Sequence, residues 1–153
     1  MIDVLPEWYN IALGEYGVKE IPGELDNPRV QEYLNTCFNF IQHDETSWCS
    51  AYVNWCMIQA GYVGTNNAVA RSWMKYGIDL TWREWRKGAI VILKRGILPW
   101  QGHVGFLAQD NEDGDTIDIL GGNQDNMVCT MTFPKSKIIG LRWPHEKYKL
   151  KGW

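Results

Sequence analysis

The order of patterns along the chain predicts an α+β fold. Helical spacing fills the first half, short β-rich runs fill the second, and one nearly all-apolar helix stands between them. The chain has 153 residues, 45% of them hydrophobic and 22% charged. A domain of this size buries roughly 68–70% of the surface its unfolded chain exposes. That excludes a disulfide miniprotein and a disordered tail. No repeat or linker divides the chain, so residues 1–153 read as a single domain.

Pro6 is preset for the first turn of a helix that begins Glu7-Trp8-Tyr9 and runs to Leu13, with Gly14 and Gly17 available to end it. A second helix starts with Asp26 or Asn27 as cap and Pro28 at the first helical position, and continues through Val30, Tyr33 and Leu34 to about Cys37. Polar residues 42–47 then give way at Trp48-Cys49 to an apolar run ended by Gly61, the pattern of a buried central helix. A third amphipathic stretch covers Asn67 to Tyr76. After Gly88, strands are expected at Ala89–Lys94, His103–Gln109, Thr116–Leu120, Met127–Phe133 and Ile138–Trp143, divided by Gly, Pro, Asn and Asp. Such a succession makes an antiparallel sheet.

The net charge of −3 excludes a protein whose work is wrapping nucleic-acid phosphates, because that needs a basic face. Charge is uneven, with nine acids against two bases in residues 1–47. Lys135, Lys137, Arg142, Lys147, Lys149 and Lys151 face only Glu146 at the other end, which makes that end a candidate surface for an anionic polymer. The start has no basic n-region or apolar h-region, and no window holds eighteen uninterrupted apolar residues. No secretory signal and no membrane span are expected.

Cys37, Cys49, Cys56 and Cys129 lack the paired spacing of a structural zinc site, and His43, His103 and His145 are equally scattered. No metal and no cofactor are expected. Cys49 and Cys56, seven apart on one helix, would lie about 10.5 Å apart, beyond the ~7 Å reach of a disulfide. Reduced thiols follow. The acidic segment Asp110–Asp115 lacks the ligand alternation of a calcium loop and reads as a hairpin tip.

Cys49 stands at the first turn of the apolar helix, where free N–H groups and the helix dipole favour thiolate over thiol. His103, in Gly102-His103-Val104-Gly105-Phe106, stands at the first residue of a strand between glycines that allow close approach. A two-residue turn at Asp113-Gly114 would set His103 opposite Gln124, and a four-residue loop would move the partner to about Gly122. Asp118 is offset by roughly 14–20 Å at ~3.4 Å per residue. The imidazole's orienting residue should therefore be Asn123, with Gln124 second.

Residues 44–56 (Asp44-Glu45-Thr46-Ser47-Trp48-Cys49-Ser50-Ala51-Tyr52-Val53-Asn54-Trp55-Cys56), Gly102–Phe106 and Leu120-Gly121-Gly122-Asn123-Gln124 resemble the small bacterial and phage peptidases of the NlpC and CHAP type. Segments 20–23, 27–29, 70–73 and 140–144 extend the resemblance over nearly the whole chain. It implies a papain-like fold and a cysteine peptidase or amidase that cuts murein stem peptides. Cys49 would be the nucleophile, His103 the general base and Asn123 the residue that orients the imidazole. In many CHAP enzymes an acidic residue shortly precedes the asparagine, where this chain has Gly121-Gly122.

The expected oxyanion site is the Cys49 N–H, with Asp44 and Ser47 shaping the pocket. Arg71, Arg95 or Lys94 would clamp substrate carboxylates, and Trp48, Trp73 and Trp100 would wall the cleft. The expected partner is bacterial peptidoglycan, met by a monomeric catalytic domain with no separate cell-wall-binding domain. Its expected place is the host cytoplasm before release to the wall, as a phage endolysin, or the phage particle. Two other readings are a catalytically silent wall-binding module of a phage particle and a papain-like toxin acting on a protein.

Overall fold

The structure is a computed structural model and describes residues 4–21, 27–38, 47–81 and 85–150. It is α+β. Helices α1 (Glu7–Gly14), α2 (Pro28–Leu34) and α3 (Cys49–Gln59) come first, followed by a 3-10 helix, Ala70–Lys75. The strands are β1 (Ile78–Asp79), β2 (Ile90–Lys94), β3 (Gly102–Asp110), β4 (Thr116–Gln124), β5 (Met127–Pro134) and β6 (Ile138–Trp143). Among the described residues they form one antiparallel sheet in the order β1-β6-β2-β3-β4-β5. Of the two candidate caps of α2, Asn27 accepts from the Arg29 N–H at 2.8 Å, whereas Asp26 lies outside the described residues.

The sheet cannot be flat. Four inter-strand spacings separate β5 from β6, or roughly 19 Å at about 4.8 Å each. Only Lys135–Lys137 connect them, and the chain from Pro134 to Ile138 spans at most about 14 Å. The strands therefore curl toward one another. Val91, Leu93, Leu107, Ile117, Ile119 and Leu141 fill the inner face, closed by Phe133 and Ile138 from either side of that short connection. The alternate residues of the same strands, such as Ile90, Ile92, Val104, Phe106 and Leu120, form the outer face with the helices.

Helix α3 packs on β3 and β4 and is covered by α1 and α2. It is buried nearly all round. Its polar side chains are satisfied within the core: Asn54 bonds Thr36 Oγ1 at 2.9 Å and the Asn66 N–H at 2.9 Å, and Ser50 donates to the Asn67 carbonyl at 2.6 Å.

Residues 110–115 are the tip of the β3–β4 hairpin, as the sequence predicts, but the turn differs. The strands are joined by the longer loop Asn111–Asp115, held by the Asp113 carboxylate, which accepts from the N–H groups of Asp115 and Thr116. A register shift follows between Leu107 and Gln109. A second lies between Gly121 and Gln124, just before a tight turn with Asp125 at φ 52° and Asn126 at φ 61°. Two successive left-handed residues make it a type I′ hairpin turn.

Candidate active site

The first residue of α3, Cys49, meets the start of β3, where His103 is the second residue. Both are buried, at 1% and 5% exposure. Burial pushes the Cys49 thiol up. The charge and hydrogen bond of His103, the Ser47 hydroxyl and the Val104 backbone amide outweigh it and bring the thiol down to about 7. Ser47 Oγ lies 3.5 Å from Cys49 Sγ.

The far nitrogen of the imidazole, Nε2, lies 2.9 Å from Gln124 Oε1. Which way the Gln124 amide faces is decided by its surroundings. Its Nε2 donates to the carbonyls of Ile119 at 3.0 Å and Cys129 at 2.7 Å, so both amide hydrogens are used. Oε1 is left to accept, and His103 Nε2 must carry a proton. In the neutral ring the Nδ1 lone pair is then free for Cys49. Burial lowers the pKa of His103, but the Cys49 thiolate, its hydrogen bond and the Gln124 oxygen raise it above the ordinary histidine value, with Arg95 opposing.

Asn123, the first choice from sequence for the imidazole's partner, is not hydrogen-bonded to it. It sits in the β4 bulge with φ 57°, and its Nδ2 donates to Ser47 Oγ at 3.2 Å. The bulge sends the two neighbours to opposite members of the pair, Gln124 to the imidazole and Asn123 to the hydroxyl beside the thiol. The glycines before them make room. A Cβ on Gly121 would lie 2.5 Å from Gln124 Oε1, and one on Gly122 would lie 2.7 Å from the Trp48 ring.

Two of the expected substrate contacts, Trp48 and Trp73, are core residues. Trp48 is buried, stacks on Tyr33 and donates from Nε1 to Glu20 at 2.5 Å. Trp73 is wholly buried, and its Nε1 donates to Ser50 Oγ at 2.9 Å. Each ring fills the core and so cannot wall a cleft. Arg71 Nε donates to the Gln101 carbonyl at 2.6 Å, tying the 3-10 helix to the residue before β3. Trp100 is exposed and stands apart from the residues bounding the hollow described below. Asp44 lies outside the described residues.

A hollow of about 260 Å³ opens beside His103 and Gln124 at the end of the curled sheet, bounded also by Lys94, Arg95, Phe133 and Lys137. The Phe133 ring centre is 5.5 Å from that of His103. Phe133 was not among the sequence candidates and Lys137 only as part of the basic C-terminal end, because only the curl brings β5 and the start of β6 to the histidine. A larger hollow of about 400 Å³ beside Pro6, Trp85 and Trp143 is bordered by Arg86 and Lys87, with no cysteine, histidine or carboxylate among its described lining residues.

The CHAP domain family model matches residues 41–123, more than half of the chain. The chain belongs to the CHAP domain family. Its curled sheet with the Cys49 helix packed on it is the papain-like CHAP fold. CHAP domains are typically hydrolases acting on peptidoglycan, as amidases or endopeptidases. A comparison with curated proteins finds no match. The CHAP match takes in Cys49 and His103 and stops at Asn123, so the residue that holds the imidazole here, Gln124, lies one position past it.

Proposed function

We propose that this chain hydrolyses an amide bond in the stem peptides of bacterial peptidoglycan with Cys49 as nucleophile and His103 as base. One arrangement carries the reading: Cys49 at the first turn of α3 beside His103, whose far nitrogen is held by Gln124 at 2.9 Å, an environment that draws the thiol down. A silent wall-binding module has no use for such a thiol.

His103 Nδ1 takes the Sγ proton, and the thiolate attacks the carbonyl carbon. The C–N bond breaks as the imidazolium gives its proton to the leaving amine. Water, deprotonated by Nδ1, then cleaves the thioester, freeing the acid and the thiol. The oxyanion meets the Cys49 backbone N–H. Trp48, the residue preceding α3, makes no side-chain bond to the first turn, so this donor is not claimed by a cap. One such donor is worth about 2.7–4 kcal/mol.

The test compares wild type, Cys49→Ala and His103→Ala on purified murein sacculi, following soluble fragments by mass. Wild type should release fragments that both variants fail to release, and equal release by all three ends the reading. The fragment masses separate an endopeptidase from an N-acetylmuramoyl-L-alanine amidase. Activity on a protein with none on sacculi would favour the toxin reading. We place the enzyme in bacteriophage lysis or infection, as a monomer held in the host cytoplasm until the membrane is breached or carried in the particle. Cells expressing it should lyse on membrane permeabilisation, and cells expressing Cys49→Ala should not.

A further inference from the structure

The hollow at the end of the curled sheet has a charge that the reaction steps above do not use. Lys94 and Arg95 lie at the end of β2 and Lys137 precedes β6, and all three border it against one acid, Asp125. None of the three has an ion-pair partner among the described residues. Neighbouring cations are engaged: Lys135 pairs with Asp110 at 2.7 Å, and Arg142 Nε donates to the Tyr76 carbonyl at 2.7 Å. Like charges gathered round a hollow repel one another, and an anion between them turns that cost into attraction. Leu93 and Phe133 supply apolar lining, with Met131 38% exposed beside them. A carboxylate carried on a short aliphatic arm matches both surfaces.

The position of the hollow says which part of the substrate enters it. The leaving amine must receive its proton from His103, so it departs on the imidazole side of the scissile bond. His103 borders the hollow and Cys49 does not, so the hollow lies on the imidazole side of the pair. We propose that the hollow binds a carboxylate on the peptide arm that leaves as the amine, with Arg95, Lys94 and Lys137 as its cationic contacts and Phe133 and Met131 against its aliphatic part. This assignment rests on the peptidoglycan reading and adds to it the chemistry and side of one subsite.

The test uses a defined stem peptide with a free carboxylate on the leaving arm and the same peptide with that group as a carboxamide. Wild type should show a KM about tenfold lower for the free carboxylate. The triple variant Lys94→Gln, Arg95→Gln, Lys137→Gln changes only exposed positions. It should bring the two KM values together; because the Arg95 charge holds the His103 pKa down, its loss also moves the alkaline limb up, so both peptides are compared at one pH. A wild type that does not discriminate, or a triple variant that still does, overturns the assignment. Calorimetry of both peptides on the Cys49→Ala protein decides the matter without turnover: about tenfold tighter binding of the free acid supports it, and equal binding overturns it. If wild type cleaves neither peptide nor sacculi, the hydrolase reading falls while this binding comparison still judges the hollow.

Discussion

The residue holding His103 is a neutral carboxamide, and this sets the pH range in which the pair works. Activity needs the thiolate together with the imidazolium. The value of kcat/KM should rise with pH as Cys49 ionises near 7 and fall again once His103, raised above its ordinary value, loses its proton. Gln124→Glu would put a carboxylate where Oε1 now lies 2.9 Å from Nε2, holding the proton on His103 to higher pH. The alkaline limb should move up, and a limb that stays in place removes Gln124 from the imidazole. The other charges near the ring are Cys49 and Arg95, with Lys94, Lys137 and Asp125 around the same hollow. Gln124→Ala should lower kcat by on the order of a hundredfold with little change in KM. Asn123 acts on the thiol side. Asn123→Gly keeps the left-handed backbone but loses the bond to Ser47, so the acid limb should move up while the melting temperature holds. Asn123→Ala should show the same limb and also lose about 1 kcal/mol of stability to strain at that φ.

At the scale of elements, β4 explains what could and could not be read from the sequence. Cys49 and His103 were legible because each stands at the start of its element, announced by an apolar run or by flanking glycines. The choice between Asn123 and Gln124 was not. Two bulges shift the register by one residue each, and in a strand a single step turns a side chain to the other face. Strand alternation carries no mark of a bulge. Gly121 and Gly122 looked like the end of a strand, yet β4 runs through them because a carboxamide and an indole occupy the space their side chains would need. The two-residue β1 is too short to show any periodicity, and its pairing with β6 decides it. Trp73 looked free for substrate because nothing local announces Ser50, 23 residues away, as its partner. Gly122→Ala should cost about 1–3 kcal/mol in denaturant unfolding through overpacking on Trp48 and Tyr52. It should also lower kcat, since Trp48 adjoins Cys49, and wild-type values of both would show that the strand relaxes freely.

Over the whole molecule, the short link from β5 to β6 decides where charges meet. The basic end foreseen in the sequence is not one patch: Lys135 and Arg142 hold the fold together, and Lys137 turns to the site. Lys135 fixes the link twice, through its N–H to the Asp115 carbonyl at 2.8 Å and through its ammonium to Asp110 at 2.7 Å. Two glycines inserted after Lys135 would slacken the curl. Loop-closure entropy alone makes this a change of about 1 kcal/mol or less, so the melting temperature should fall only slightly. KM for the carboxylate peptide should rise several-fold as Lys137 and Phe133 move away from His103. An unchanged KM would show that the hollow does not depend on the curl.

The contact between Gly121 and Gln124 also restricts which residues can hold the imidazole. A carboxylate introduced at 121 needs space that the Gln124 oxygen occupies, and a chain that loses Gln124 first leaves the imidazole without a partner. Gly121→Glu alone should displace the Gln124 oxygen and lower kcat, and a smaller residue at 124 in the same chain should relieve the clash. An acid at 121 and a carboxamide at 124 are therefore mutually exclusive ways of holding this histidine.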